Sequence, residues 1–319
     1  MTRNVNTWVA VATCSAVLAL AACSTGNEEP KASDNGGSSD KCVIGMTQIN
    51  QTAAFFTQMN EGAEEAAKSA GCDLTIANAN NDSAKQNSDI ENFVSQQVTG
   101  LIVVAIDVNG VLPAVKAAKD AGIKVVAIDA QLEEGSVDTF VGVDNEKAGT
   151  EAGQWVVDQG LADGATYGVV DARNSFIQNQ REDSFRKVID DAGAKFTQSV
   201  NGDNVQEKAA NAAQNLVTAQ PDLDFVYTTG EPATVGAVAA LDPSGKTKII
   251  GWDLTAEVIE GIDSGLVTAV VQQNPKQEGV EAVNELKAVI GGATAQGFID
   301  APITIVTKDN VDDFRSIFE

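Results

Sequence analysis

The feature that most constrains this chain is an alternation that begins at residue 42 and scarcely breaks afterwards. Short, nearly continuous apolar runs trade places with stretches whose apolar residues recur every three or four positions. Val43–Met46, Leu74–Ala77, Leu101–Ile106, Lys124–Ile128 and Thr139–Val143 read as strands. Between the first two, Phe56, Met59, Ala63, Ala67 and Ala70 fall at helical spacing, and Ile90, Phe93, Val94 and Val98 follow the second. A helical stretch over 112–121 completes this set. A strand that is apolar on both faces needs cover on both faces, and helices between strands supply it while running the strands parallel. The expected fold is therefore α/β.

The pattern then repeats. Strands are expected near 167–170, 195–198, 225–228, 248–251 and 268–272, with helices near 180–192, 206–219, 233–241 and 256–264. Two doubly wound parallel sheets in succession mean two lobes rather than one. Where the halves meet, the run 139–143 passes straight into Asp144-Asn145-Glu146 and a helix starting near Ala148. Asp144 or Asn145 would cap that helix, and a strand feeding directly into the second lobe is a hinge candidate.

The amino-terminal segment has a different character. Arg3 is the only charged residue before Glu28, and Trp8 to Ala22 is largely small and apolar. That run is short for a membrane span and has the shape of a secretory signal. It ends in Leu20-Ala21-Ala22-Cys23, which resembles a bacterial lipobox and implies cleavage before Cys23 and lipidation of its thiol. The plainer alternative is a signal peptide with an incidental cysteine. Ser24 to Asp40, rich in Ser, Gly, Asn and acid, reads as a flexible tether. Cys14 would leave with the signal, so Cys42 and Cys72 remain. Each sits just before an expected strand. If those strands are parallel neighbours, a disulfide joins their starting ends; otherwise both are buried thiols.

The composition excludes several chemistries. The chain has no histidine, so no Ser-His or Cys-His pair and no His-ligated metal can form within it. Forty-five acidic residues against 21 basic ones, a formal charge of −24, argue against nucleic acid as a partner. Gly245-Lys246-Thr247 imitates the end of a phosphate-binding loop, but Ala240 stands where its first glycine belongs and a strand follows where a helix is required. No cysteine pair has zinc spacing, and no cofactor or metal is expected. Asp107 and Asp129 end neighbouring strands, where two carboxylates suit either a glycosidase or a site that accepts hydrogen bonds from hydroxyls.

From residue 42 onward the chain resembles the bacterial sugar-binding proteins of the ribose-binding type, the type I solute receptors of ABC transporters. The residues that carry the resemblance are Phe55-Phe56, Val126-Ala127-Ile128-Asp129, Val143-Asp144-Asn145, Arg181 four residues before Phe185, Gly251-Trp252-Asp253 and Gln273-Asn274-Pro275. The block Tyr227 to Ala233 is similar to the fructose-binding branch. The resemblance implies two lobes of periplasmic binding protein type I, joined by three crossings near 143–146, 272–275 and 301–304. Residues 41–143 plus 275–301 would form one lobe, and 144–274 plus 302–319 the other. A ligand would sit between them and be enclosed by hinge bending.

A sugar has apolar C–H faces and a rim of hydroxyls, so its site needs aromatic plates and planar polar groups. Phe55 or Phe56 would cover one face and Trp252 the other. Asp129 and Asp253 would accept hydroxyl protons from opposite lobes, Arg181 would donate a fork, and Gln273 would donate and accept. Ala105, Ala130, Asn204 and Gly230 depart from the ribose-binding pattern, removing hydroxyl partners and one plate. Gln48, Asn50, Asp107, Asn204 and Glu231 are the candidate replacements. The resulting expectation is a monomeric, membrane-anchored lipoprotein, not an enzyme, that captures a small neutral monosaccharide or polyol and delivers it to an ABC permease. The rival readings are a sensory receptor for a furanosyl signal, the effector domain of a LacI-like repressor, and a glycoside-cleaving enzyme.

Overall fold

A computed structural model describes residues 41–51 and 54–318. The signal-like segment, Cys23 and the Ser/Gly-rich stretch after it lie outside the described residues. Ten α-helices, one short 3-10 helix (Val311–Asp313) and twelve strands are defined among the described residues. The first sheet contains β1 (Val43–Gln48), β2 (Asp73–Asn78), β3 (Gly100–Val103), β4 (Lys124–Ile128), β5 (Thr139–Gly142) and β11 (Gly297–Asp300). Its order is β11-β5-β4-β3-β1-β2, parallel throughout. The second contains β6 (Thr166–Asp171), β7 (Lys195–Asn201), β8 (Phe225–Thr228), β9 (Lys248–Trp252), β10 (Val267–Gln273) and β12 (Ile303–Val306). Its order is β12-β10-β9-β8-β6-β7, and only β12 runs antiparallel to its neighbour. The two-lobed α/β architecture follows the alternation in the sequence.

The apolar runs are central strands because both faces find cover. Leu101, Ile102 and Val103 are fully buried, as are Val125, Ala127 and Ile128. On the first sheet these residues divide between two cores, one on each face. The second sheet is covered in the same way. The covering helices of the first lobe are α1 (Ala54–Ala70), α2 (Ser83–Ser95), α3 (Leu112–Asp120) and α9 (Pro275–Ile290). Those of the second are α4 (Asn145–Asp158), α5 (Phe176–Asp191), α6 (Gln206–Ala219), α7 (Glu231–Ala240) and α8 (Ala256–Asp263), with short α10 (Arg315–Phe318) near the end.

Helices α1 and α9 pack unusually close. A β-carbon on Gly62 would lie 2.0 Å from the Lys276 carbonyl oxygen, and one on Gly279 2.1 Å from that of Met59. Only glycine allows this backbone-to-backbone contact. It holds the first turn of α9 against α1, beside the carboxyl edge of the first sheet.

The chain passes from β5 to α4 at residues 143–144, from β10 to α9 at 274, and from β11 to β12 at 301–302. Asp144 is the cap of α4, its carboxylate accepting from the Lys147 amide at 3.0 Å. Asp300 ties two crossings together: it accepts from the Asp144 amide at 3.0 Å and pairs with Lys147. The antiparallel sense of β12 has a simple origin. Every parallel strand ends at the edge facing the other lobe, whereas β12 enters its sheet from that edge.

Cys42 and Cys72 form a disulfide at the starting ends of β1 and β2, with Cα atoms 4.7 Å apart. The register Val43↔Asp73 places them side by side, so neighbouring parallel strands do bring the two thiols together. Two element boundaries differ from those expected. The strand at 101–106 ends at Val103, after which the chain turns. Helix α5 begins at Phe176 rather than near 180, because its first residues are capped by Ser175 while Phe176 stays exposed and breaks the amphipathic pattern.

Candidate functional site

The carboxyl edges of the two sheets line a cleft of about 550 Å³. Asp129 follows β4 in the first lobe and Asp253 follows β9 in the second. Both take a left-handed backbone conformation, with φ of 63° and 61°. This is a region where aspartate is tolerated better than most residues. Each amide still donates to the neighbouring strand, Asp129 to the Val141 carbonyl at 3.0 Å and Asp253 to that of Val271 at 2.9 Å. The same bend thus ends one strand in each lobe, and both carboxylates line the cleft.

The first lobe adds an apolar wall. Phe55 and Phe56 open α1, meet edge to face with ring centres 5.3 Å apart, and both line the cleft half-buried. The second lobe adds polar groups. Gln273 donates to the Asp253 carboxylate at 2.9 Å. Asn204, left-handed at φ 57°, is held by the Gln178 amide, which donates to its side-chain oxygen at 2.8 Å. Glu231 starts α7 at the same cleft, where burial raises its carboxyl above the usual range and Asp253 adds to the effect.

Arg181 is fixed from several sides. Its Nε donates to Asn145 Oδ1 at 2.7 Å and its Nη1 to the Thr229 carbonyl at 3.3 Å. Its guanidinium lies 3.7 Å from the centre of the Trp252 ring. Trp252 donates in turn to the Tyr227 hydroxyl at 2.7 Å, and Tyr227 stacks on Phe185 with ring centres 3.7 Å apart. A stacked column therefore supports one cation. Charge around it is uneven. Burial pushes the Asp129 and Asp253 carboxyls up, while Arg181 pulls both down. Burial pushes Arg181 itself down, opposed by Asp253, Tyr227, Asp129 and Glu278.

Several expectations drawn from the sequence are corrected by the fold. Trp252 is fully buried, with Arg181 over its ring, so it is a support for the cation and not a plate open to the cleft. Gln48 is also fully buried; it donates to Asn60 at 3.0 Å and accepts from the Ile49 amide at 2.9 Å, which spends its polar groups inside the first lobe. Asp107 is exposed and closes its own turn, accepting from the amides of Asn109 and Gly110 at 3.0 Å each. These bonds hold its carboxyl below the usual range. Asp107 is not among the residues lining the cleft, so no carboxylate pair forms with Asp129. Asn50 reaches toward Asn81 at 3.4 Å, also away from the cleft lining. Among the described residues no acidic or cysteine cluster is arranged to hold a metal ion.

Other participants were not among the expected residues. Gln178 is buried and bridges Asn204 to the Thr229 hydroxyl, which donates to it at 2.7 Å. Its position, three residues before Arg181 on one helix face, was the available signal. Gln272 fixes the turn after Asp253 by accepting from the Leu254 amide at 2.7 Å. Phe318, at the far end of the sequence, lines the same cleft through its packing on the second lobe; no local pattern marks it.

A family model described as a periplasmic binding protein domain matches residues 44–294. The chain belongs to this family. Among curated relatives of this periplasmic binding protein, the ribose import binding protein RbsB of Bacillus subtilis is 29% identical over 291 residues, covering 91% of this chain and 95% of the relative. A xylitol-binding protein of Mycolicibacterium smegmatis is 27% identical over 312 residues, covering 95% and 86%. Among solved structures, a periplasmic ribose ABC transporter protein from Conexibacter woesei superimposes with a TM-score of 0.79 at 25% identity, covering 86% of this chain and 95% of that one. An arabinose-binding protein from Geobacillus stearothermophilus has a TM-score of 0.80 at 20% identity, covering 86% and 99%, which shows the shared fold. The relatives are binding proteins rather than enzymes.

Proposed function

We propose that this periplasmic binding protein captures a small neutral monosaccharide or polyol between its lobes and delivers it to an ABC permease. The observation that carries this reading is the pairing of Asp129 and Asp253 across one cleft, with Arg181 clamped behind them and Phe55 and Phe56 opposite. Two carboxylates accept hydroxyl protons from opposite sides, and the phenylalanines cover a C–H face. A cleft of about 550 Å³ lies within the size range of small-molecule sites. Contacts to both lobes stabilise the closed form over the open one. Acid exceeds base around the cleft, which disfavours sugar acids and sugar phosphates.

Asn204 and Glu231 are the proposed replacements for groups that the ribose-binding pattern has and this chain lacks. The relatives' names, ribose and xylitol, support a polyhydroxy compound. We infer a lipid anchor at Cys23 followed by a tether, which keeps a monomeric receptor beside its permease outside the cytoplasm. A thermal-shift screen of pentoses, hexoses, ketoses and polyols, followed by calorimetry, tests the capture. Stabilisation by at least one neutral compound is expected, and no shift with any of them sinks the reading. Mass spectrometry of the membrane fraction tests the anchor, which Cys23→Ser should abolish.

A further inference from the structure

One buried acid belongs to none of the hydrogen-bond networks around the cleft. Glu278 lies in the first turn of α9, just past the second crossing, with no exposed surface. Among the described residues neither carboxyl oxygen has a hydrogen-bond partner. Pro275, one turn before it on α9, lines the cleft, and the charged groups that act on Glu278 are Asp129 from the end of β4, Asp253 from the end of β9 and Arg181 from α5. Helix α1 meets this turn of α9 through backbone, Met59 against Gly279, and its Glu65 pairs with Lys276 on another face. Glu231 stands beyond Asp253 and adds no cation.

Three carboxyls therefore feel the charge of one guanidinium, which donates its hydrogen bonds to Asn145 and the Thr229 carbonyl. An unpaired charge in such a place is costly, and a carboxyl without hydrogen bonds escapes the cost by keeping its proton. Burial first, then Asp129 and Asp253, drive Glu278 well above the ordinary 4.5, with only Arg181 opposing.

Building on the capture reading above, we propose that Glu278 is a positioning residue of the cleft, held as the neutral acid so that Asp129 and Asp253 carry the negative charge that hydroxyls bind. Capture is then linked to the proton on Glu278. Losing that proton places a third negative charge behind the two aspartates, competes with them for Arg181 and loosens the site. At the acidic end, protonation of Asp129 and Asp253 weakens binding independently of Glu278. The wild-type affinity thus falls at both ends of the pH range, and only the alkaline limb belongs to Glu278.

The same linkage appears in stability without any ligand. The folded-state value lies above the unfolded one, so the contribution is complete below about 4.5 and is lost as pH rises through the folded value. Unfolding of wild type and Glu278→Gln, followed by denaturant titration across pH, should show wild type losing stability relative to the variant as pH rises. Parallel profiles would overturn the neutral-acid assignment. For capture, calorimetry uses whichever of D-ribose, D-allose, D-tagatose, xylitol and myo-inositol gives the largest thermal shift. Wild type should weaken about tenfold as pH rises well above the ordinary carboxylate range, whereas Glu278→Gln, which keeps a neutral planar group, should change less than about twofold and retain the acidic limb. A variant about tenfold weaker at every pH would mean that Glu278 acts as an anion, and would overturn the proposal. Glu278→Met supplies a second variant that removes the proton without the amide, with the same flat alkaline limb expected. If no compound of the full pentose, hexose, ketose and polyol screen binds, the sugar reading fails while the unfolding profiles still decide the state of Glu278.

Discussion

The two lobes share one plan and divide the work. Each has six strands in the same winding order, and each ends a strand in a left-handed aspartate at the cleft. Asn80 and Asn81 after β2, and Asp203 and Asn204 after β7, repeat the correspondence with positive φ at matching places. The furnishing differs. The first lobe gives the cleft two phenylalanines and one carboxylate, and carries the disulfide. The second gives it a cation locked into a column of aromatic rings, with Gln178, Gln272 and Gln273 fixing the groups around it. A polar anchor costs stability unless each group is satisfied, so it needs a rigid, hydrogen-bonded support. An apolar wall needs only shape. The lesson is that orientation is built into the second lobe and enclosure into the first.

The comparison can be broken experimentally. The largest effect belongs to the first lobe's fold: Cys42→Ser should lower the unfolding free energy by roughly 3–4 kcal/mol in the chain-entropy account of a closed loop, measured by denaturant titration, while affinity at room temperature stays near wild type. A large loss of affinity would mean that the bond shapes the cleft as well as the lobe. Next is the second lobe's anchor. Arg181→Met removes a buried donor and leaves Asn145 Oδ1 and the Thr229 carbonyl without its hydrogen bonds; affinity for the best sugar found in the screen should drop about 100-fold, or roughly 3 kcal/mol. Calorimetry returning a value near wild type would place orientation elsewhere. Asp253→Asn should cost about tenfold, since an amide accepts less strongly than a carboxylate. Phe56→Ala should cost least, about fivefold, through lost contact area. Were Phe56→Ala to exceed Arg181→Met, the division between wall and anchor would be reversed.

Much of this was legible in the linear chain. Alternating periodicity identified the strands, and residues directly following them, such as Asp129 and Asp253, had to emerge at the ligand edge of a parallel sheet. The same rule misled at Asp107, because an Asx turn captured the side chain before it could reach the cleft. At Trp252 the position at the edge was right and the direction was not. The ring turned into the core, where Tyr227 accepts its N–H and Arg181 lies across its face. Gln48 ends a strand too, yet Asn60 of α1 claims its amide. Strand ends identify a neighbourhood; neighbours from other elements decide which side chains enter it.

What the sequence determined by itself is the order of elements, the parallel sense of the sheets and the edge where binding groups gather, because periodicity and turn chemistry act over a few residues. Tertiary structure alone decided which polar groups are spent on one another and which remain for a ligand. Glu278 is the sharpest case. Asp129, Asp253 and Glu278 come from three separate elements and come under the charge of one arginine only after both lobes have folded, so no local pattern encodes the field that each one feels.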